Sequence, residues 1–568
     1  MHRSAASPES FARTSLPAVG ALLVVCVLRG MTLDFPDLLD PTEGRYAFIA
    51  QQMNVDRNWL TPHVSLSGEV VPYLGKPPFH FWLTAAFFSV FGFDEWAARM
   101  PSFLSFVFLC WCVWRVARLL ISRDAGLVAM LVFSSTILGF FFGGASIVDF
   151  TLAACVGGSL TAFAHFSVQS GSSRSFLHGL LVFVAAALGF MTKGPVALAL
   201  VAIPVVGWSV ASRNWTPIRS LPWVAGMAAF LVLTLPWFYL SERVNPGFTR
   251  YFFLQENVGR FLFSDYGDRY GLGHRKPYGT IWLLYTLGCL PWTPLVVREV
   301  LARRRGKTPL SMNVRSAFTF VLLWAAAPLV IFTFARQLLV TYAIPGLAGF
   351  SLLAAAFLSS ADVSPTLRRW LRGGVSWAPA VGLLVAAAYF ALGDDPHVSP
   401  VALVPLASLL AIPILLRSNP GASQPNLIAA FAACFVSLFA FSLILLEAPI
   451  SQRYSAKPIL QCLARYSPAS LSAVGVLSNR SNSSSYVYGR ADSGKDERPL
   501  AVVPVNSFMH EGTTPKDLIV SRQVGAAQSE AIPDNYSLVL SLGAWSWAST
   551  SGIRINREDC PVSEGERG

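Results

Sequence analysis

The chain alternates long apolar runs with short polar connections along most of its length. Taking roughly 17 or more apolar residues as one membrane-spanning helix, the pattern predicts thirteen spans. A shorter apolar stretch at residues 79–93 predicts a helix that lies in the membrane interface or re-enters it. The predicted spans begin near residues 17, 98, 125, 147, 176, 195, 221, 279, 315, 338, 372, 398 and 426.

Two polar loops are much longer than the other connections, at residues 34–97 and 241–278. Loops of that length in a compact protein usually carry function. In the first loop, the run DPTEGRYAFIAQQM at 40–53 predicts a surface-lying helix with Glu43 in its opening turn, which would present Glu43 and Arg45 near the membrane plane.

The pattern changes after the last span. Residues 458–466 predict a helix, and short β-like runs alternate with Gly, Ser, Asn and Pro turns, which predicts a small soluble α/β domain. We therefore divide the chain into a transmembrane catalytic part, residues 1–449, and a C-terminal domain, residues 450–568. The β-like runs lie at 471–478, 485–489, 500–505 and 536–541.

Composition excludes a soluble protein of this size. Of 568 residues, 54% are hydrophobic and 13% charged, and the mean hydropathy is +0.51, which leaves too little polar surface to cover the fold in water. The net charge of +12 does not indicate nucleic-acid binding, because the basic residues form small groups between apolar runs. These groups recur on alternate connections, which places the N-terminus in the cytoplasm. An odd number of spans then places the tail outside.

Two of the eight cysteines stand apart from the apolar spans. Cys462 and Cys560 both fall in the polar tail. If that region faces an oxidising periplasm, they can form a disulfide; otherwise they are two free thiols. The other six lie in or beside apolar runs, where a small thiol usually packs.

Charged residues collect on one predicted side of the membrane, next to apolar spans where an ionisable group needs a partner, water or a function. Several cations with a few carboxylates suit a lipid-linked phosphate, since Lys and Arg hold the phosphate while carboxylates hold sugar hydroxyls or a proton. The alternative is that the cations only anchor headgroups. The set includes Asp40, Glu43, Arg45, Glu69, Lys76, Asp149, Lys193, Glu242, Arg250, Glu256, Arg260 and Arg336.

The histidines are dispersed, with neither an HExxH pattern nor paired cysteine spacing. A zinc site built wholly from protein ligands is therefore not indicated. Outer-side carboxylates leave open a divalent ion held jointly with the substrate phosphate.

Several motifs of the chain resemble a known family. They are an acid-x-Arg-Tyr step at 43–46, Trp-Leu-x-Pro at 59–62, Tyr-x-x-Lys-Pro-Pro at 73–78 and Ala-Arg-x-Pro-Ser at 98–102, followed by VDFTLA, MTKGP, ENVGRF and LVTYAIP. This series resembles the GT-C fold transferases of the protein-mannosyltransferase superfamily, and within it the aminoarabinose transferases that modify lipid A. The resemblance implies an all-α polytopic membrane fold with periplasmic interfacial helices and a small C-terminal α/β domain.

The resemblance also implies roles for individual residues. The donor is a sugar on undecaprenyl phosphate, whose phosphate Lys76 and Arg260 hold, with Arg45 and Tyr73 nearby. Glu43 and Asp149 are the catalytic acids that the resemblance implies. Further site residues expected within the matching motifs, or beside them, are Lys193, Glu256, Arg336 and Tyr342.

This sequence departs from the family at four motif positions. The lysine usual before the tenth span has no clean match, with Arg336 or Gln337 as its substitute. Thr42 stands where the first acid of a paired-acid motif is usual. Gly75 replaces the usual acid before the Lys-Pro-Pro lysine, and Glu256 replaces the usual His before Asn257.

The resulting hypothesis is a glycosyltransferase of the bacterial inner membrane. It moves a sugar, with inversion, from a polyprenyl-phosphate donor to lipid A or a related envelope glycolipid at the periplasmic face. One alternative keeps the donor and transfers the sugar to a protein hydroxyl. Alternatives of other classes are a lipid-linked sugar transporter, which would need polar groups near the midplane, and a non-catalytic receptor.

Overall fold

The computed structural model is mainly helical. Ten helices are long and apolar enough to cross a membrane within the described residues, which makes the chain a multi-pass membrane protein. The structure describes residues 8–66, 69–168, 173–263, 270, 275–305, 312–359, 365–392, 398–466, 473–477, 501–504, 517–521, 537–542 and 545–549.

The spanning helices account for most of the chain. Two of them, α17 and α19, are preceded by a short 3₁₀ turn that extends the apolar segment. The ten are α4 (Glu95–Leu120), α7 (Val148–Val168), α8 (Ser173–Lys193), α9 (Pro195–Ser212), α11 (Trp223–Val244), α16 (Met312–Phe332), α17 (Ile344–Leu358), α18 (Pro365–Leu392), α19 (Leu403–Arg417) and α20 (Gln424–Leu445).

The prediction of thirteen spans is not confirmed as a count of continuous helices. The apolar run that begins near residue 125 is divided into α5 (Ala125–Ser134) and α6 (Ile137–Phe142). Thr136 causes the break, because its hydroxyl donates to the Phe133 carbonyl and accepts from the Gly139 amide at 3.0 Å, which caps a new helix.

One further predicted span differs from a straight helix. The run near residue 279 forms α14 (Thr280–Gly288) and α15 (Thr293–Arg305), which are bent by 103°. Pro291 lies in that break, where it has no amide to donate. The first helix, α1 (Pro8–Met31), has a described apolar part of only Val19–Met31. With the bent pair taken as one span, the described residues hold up to eleven.

The first long loop folds over one end of the spans. It contains α2 (Thr42–Val55), the antiparallel strands β1 (His63–Leu66) and β2 (Glu69–Pro72), and α3 (Phe79–Phe91). The helix is present, but the prediction that it lies on the surface is wrong, because every residue of α2 from Tyr46 to Met53 is buried. Its apolar and small side chains pack into an aromatic cluster with α3.

Short helices complete the second long loop and the link to the tail. Between α12 and α13 the chain is π-helical over Tyr251–Gly259. These short helices are α10 (Thr216–Arg219), α12 (Phe248–Arg250), α13 (Arg260–Leu262), α21 (Glu447–Tyr454) and α22 (Lys457–Tyr466).

Within its described residues, the tail contains a five-stranded sheet in the order β4-β3-β5-β7-β6. The central strand β3 runs parallel to β4 and β5, while β7 is antiparallel to both β5 and β6. The predicted β-like run at 485–489 lies outside the described residues. The strands are β3 (Ala473–Leu477), β4 (Ala501–Pro504), β5 (Asp517–Ser521), β6 (Ser537–Leu542) and β7 (Trp545–Ser549).

The start of α22 is tied to the first long loop. The Lys457 ammonium lies 3.2 Å from an Asp37 carboxylate oxygen and also donates to Glu95 at the start of α4. The backbone amide of Asp40 donates to the Tyr454 carbonyl at 2.7 Å. Residues that follow the last span therefore support the segment that precedes α2.

Candidate functional site

Asp149 is the centre of a buried polar cluster at the start of α7. One carboxylate oxygen accepts from the Lys193 ammonium and the other from the Thr341 hydroxyl at 2.8 Å. The same ammonium lies 3.9 Å from the centroid of the Tyr342 ring. Asp149 is 4% and Lys193 8% exposed. The cluster thus holds a complete ion pair, rather than a lone charge, in an apolar surrounding.

The sequence around Lys193 explains how that cation reaches Asp149. Lys193 is the last residue of α8, and Gly194 follows with a φ of +74°. A side chain at position 194 would be strained there and would meet the Phe252 ring at 2.5 Å. Pro195 then begins α9. The Lys-Gly-Pro sequence therefore turns the chain sharply and leaves the lysine beside α7.

His80 and Tyr46 belong to the same cluster, although the sequence analysis did not select them. His80 Nδ1 is 2.8 Å from the Thr151 hydroxyl, and Nε2 is buried with no hydrogen-bond partner among the described residues. Burial lowers the pKa of His80 to about 4, and the nearby charge of Asp149 opposes that shift. The imidazole is therefore neutral near pH 7.

Tyr46 connects the first loop to this cluster. Its ring centroid lies 6.2 Å from that of His80 and 5.5 Å from that of Phe81. Burial raises the pKa of Tyr46 well above 10, and Tyr73 and Asp149 add to the shift. The phenol stays protonated and can donate.

Lys76 forms the second ion pair of the region. Its ammonium lies 2.6 Å from Glu256 Oε1 and 2.8 Å from the Gly75 carbonyl oxygen. The side chains of Lys76 and Glu256 are 13% and 2% exposed. Pro77 and Pro78 follow directly, and α3 begins at the next residue. The rigid turn that the two prolines form fixes the start of the lysine side chain.

Glu43 forms a third pair, and its partner is Arg99. The guanidinium binds both carboxylate oxygens, at 3.0 and 3.1 Å. The Ser146 amide donates to Glu43 Oε1 at 2.8 Å, and the Leu39 amide donates to Oε2 at 3.3 Å. Arg99 also donates to the carbonyls of residues 33 and 37. With four donors on one carboxylate, Glu43 joins the first loop to α4 and to the segment before α7.

The remaining predicted site residues have varied surroundings. Arg45 is half-buried on α2, and the Tyr73 ring is 4.8 Å from that of Tyr270. Arg336 stacks on Tyr278, with its guanidinium carbon 3.8 Å from the ring centroid.

Arg260 begins α13, but its side chain lies outside the described residues. The backbone amide of Arg336 is 3.5 Å from the Phe261 carbonyl oxygen, which brings Arg336 next to α13. Cys462 is disulfide-bonded, while Cys560 lies outside the described residues, so their pairing stays a prediction. In the described part of the chain no three His, Cys, Asp or Glu side chains form a group suited to a metal ion.

Comparison with protein families supports the resemblance seen in the motifs. A model described as dolichyl-phosphate-mannose-protein mannosyltransferase matches residues 75–240. That region includes Lys76, Asp149 and Lys193.

Curated relatives carry the description undecaprenyl phosphate-alpha-4-amino-4-deoxy-L-arabinose arabinosyl transferase. The protein of Edwardsiella ictaluri is 29% identical over 324 residues, 56% of this chain and 55% of the relative. That of Shewanella sediminis is 30% identical over 349 residues, 61% of this chain and 60% of the relative. The match spans little more than half the length of these relatives.

Solved structures show a shared fold over nearly the whole chain. ArnT from Cupriavidus metallidurans bound to undecaprenyl phosphate has a TM-score of 0.72 at 20% identity, and covers 96% of this chain and 100% of its own. The apo form gives 0.71 at 22% identity, with 95% and 98% covered. The expected resemblance and the polytopic fold are confirmed.

Proposed function

We propose that this chain is a membrane glycosyltransferase that moves a sugar from undecaprenyl phosphate to lipid A or a related envelope glycolipid. The observation that carries the proposal is the part-buried ion pair of Lys76 with Glu256, at a Lys-Pro-Pro turn in the loop that packs against the start of α7. A cation in this position suits a phosphate that enters from the bilayer. The names of the curated relatives and the ArnT fold support the choice of donor.

The donor phosphate replaces or joins Glu256 at Lys76. In the structure the Lys76 ammonium is bonded to a carboxylate, which is the group that an anionic substrate has to compete with. Arg260 is proposed as the second phosphate ligand because it begins α13 one residue beyond the helix that carries Glu256. Arg45 and Tyr73 lie at the same loop and complete the proposed donor site.

The proposed reaction is a direct displacement with inversion. An acceptor oxygen forms a bond to the anomeric carbon while the bond from that carbon to the phosphate oxygen breaks, and the electron pair remains on the departing polyprenyl phosphate. Lys76 and Arg260 stabilise that growing charge. A phosphate acceptor is already an anion and needs no base, whereas a hydroxyl acceptor passes its proton to Asp149.

The two acids have different proposed roles. Among the described residues Asp149 accepts from two donors, Lys193 and Thr341, and its charge acts on His80, so it is proposed to act on the sugar or the acceptor proton. Glu43 accepts from Arg99 and two backbone amides. We assign it the positioning of the loop over the site.

The proposed location is the bacterial inner membrane, with the N-terminus in the cytoplasm and the site at the periplasmic face. Clusters of Lys and Arg on alternate connections support this orientation. Residues 1–449 form the proposed catalytic part, and residues 450–568 the periplasmic domain. A divalent ion bound with the donor phosphate stays an open part of the proposal.

The family model favours a second candidate acceptor, because its description refers to protein mannosylation and it spans the Lys76 and Asp149 region. The donor and the leaving group would be unchanged. A protein hydroxyl would require Asp149 to accept a proton.

Purified protein in nanodiscs, given radiolabelled undecaprenyl-phosphate sugars, tests the proposal. Lipid A and Ser/Thr peptides are offered separately, and product is measured by chromatography. We expect transfer to lipid A, and its loss in Lys76→Ala. Arg243→Ala is the control. Arg243 is an exposed cation in the last turn of α11, and that end of α11 contacts the first long loop through Asn245 and Thr61. Transfer only to peptide would select the second acceptor, and equal rates in Lys76→Ala and the wild type would exclude the phosphate site.

A further inference from the structure

A pair of histidines lies at the end of α7 opposite to Asp149. The rings of His165 on α7 and His178 on α8 are stacked, with centroids 5.1 Å apart and planes at 15°. His165 is 5% exposed, yet neither of its ring nitrogens has a hydrogen-bond partner among the described residues. His178 Nδ1 is also buried without one. Buried polar atoms are normally satisfied, so this pair needs a ligand or water.

Arg115 brings a cation to the same place from α4. Its Nε is buried without a hydrogen-bond partner in the described structure, and its charge acts on His165. Arg115, His165 and His178 stand on three different helices, which bring unpartnered nitrogens of α4, α7 and α8 to the same end of the bundle.

This cluster is remote from the proposed catalytic site. His165 follows Asp149 by sixteen residues of one helix, which is about 24 Å at about 1.5 Å per residue. It lies at the end of the bundle where α4 carries further basic side chains, with Arg118 stacked 4.6 Å from the Trp114 ring centroid. A tryptophan and cations at the end of a span mark the depth of lipid headgroups.

We infer that Arg115, His165 and His178 form a second site, which binds the phosphate of an anionic lipid headgroup at the face opposite to the catalytic one. The charge decides the class of ligand: the Arg115 guanidinium beside the rings opposes a metal cation and attracts an anion. Each imidazole offers an N–H and the guanidinium offers several, so the donors match phosphate oxygens.

A headgroup is favoured over free phosphate by the position of the site. The donors stand at the end of spanning helices, where a bilayer lipid presents its phosphate, and cytoplasmic anionic lipids are attracted to basic segments. Inorganic phosphate has the same oxygen chemistry and is the second ligand to be tested.

The full-length protein in nanodiscs tests the site. Thermal unfolding is followed as phosphatidylglycerol replaces phosphatidylcholine, and separately as inorganic phosphate is added in phosphatidylcholine. Native mass spectrometry counts the retained lipids. We expect phosphatidylglycerol to raise the melting temperature, and apparent affinity to fall about tenfold in Arg115→Met and in His165→Phe/His178→Phe, as expected for the loss of one or two charge-assisted hydrogen bonds.

Two controls keep the test decisive if a variant folds poorly. Arg123→Met removes an exposed cation beyond the end of α4 and should leave lipid affinity within about twofold. Arg115→Lys keeps the charge but not the planar donor group, and should lose part of the affinity. Equal lipid binding in the wild type and all cluster variants would overturn the inference, as would a site filled by water only. A response to inorganic phosphate alone would overturn the lipid assignment.

Discussion

Lys193 and Asp149 form a buried ion pair that joins the end of α8 to the start of α7. Asp149→Asn leaves the ammonium without a carboxylate, so we expect a loss of stability of about 3 kcal/mol and a fall in transfer of at least about tenfold. Differential scanning fluorimetry and the radiolabel assay measure the two effects. Adding Lys193→Met should restore stability but not transfer. Recovery of transfer in the double variant would remove Asp149 from the chemistry.

The Lys76–Glu256 pair predicts opposite effects for its two members. Lys76→Ala should lower kcat/KM about 100-fold because it removes a charge that stabilises the leaving phosphate. Glu256→Gln should instead tighten the binding of undecaprenyl phosphate, by about fivefold, since a neutral amide competes less strongly for the ammonium. Titration of intrinsic fluorescence with undecaprenyl phosphate measures this binding. Weaker binding in Glu256→Gln would mean that the carboxylate itself holds the ligand.

The Glu43–Arg99 pair predicts a change in stability rather than in chemistry. Glu43→Gln leaves a buried guanidinium with half of its carboxylate bonds, which should lower the free energy of unfolding by about 3 kcal/mol. The Glu43→Gln protein that remains folded should show the same pH dependence of its transfer rate as the wild type. A changed pH–rate profile at unchanged melting temperature would instead identify Glu43 as a general base.

Gly144 is a position where even one methyl group is excluded. A Cβ there would lie 1.7 Å from Arg29 Nη2, and Arg29 is 1% exposed and bonded to Thr32 and the Phe141 carbonyl. Gly144→Ala should destabilise the protein by about 1–3 kcal/mol. Gly30→Ala is the matched control, because nothing lies within 4 Å of its added Cβ. Equal melting temperatures would show that Arg29 can move away.

His80 predicts how stability depends on pH. Its pKa is about 4 in the folded protein and about 6.5 in an unfolded chain, so the unfolded state binds more protons between these values. Its contribution to stability is present above pH 6.5 and is lost as the pH falls, by up to about 3 kcal/mol near pH 4. Melting temperatures of wild type and His80→Gln, measured from pH 7.5 to 4.5, isolate this effect. Parallel curves would contradict it.

The sequence predicted which residues belong to the candidate site better than it predicted which of them form pairs. Lys76 and Glu256 were both selected, but 180 residues separate them, and periodicity carries no information about pairing at that distance. His80 was not selected because the histidines are dispersed along the chain and form no metal-binding pattern. Its buried, unpartnered Nε2 is visible only once Thr151 is placed on the other ring nitrogen.

The apolar runs gave the positions of the helices but not their continuity. All thirteen predicted segments contain helix, yet Thr136 and Pro291 break two of them. Hydropathy averages over such single residues, whereas a helix end depends on one hydroxyl or one missing amide. The burial of α2 was missed for a similar reason, since an alternating helix pattern does not reveal a second apolar layer above it.

The contact of Lys457 with Asp37 and Glu95 has a consequence for biosynthesis. Lys457 follows Glu95 by 362 residues, so the ribosome has made every spanning helix before this clamp can close. Until then the segment before α2 lacks its support. A nascent chain stopped short of residue 457 would hold every described span in the bilayer and still lack the ion pairs that fix this segment to α4.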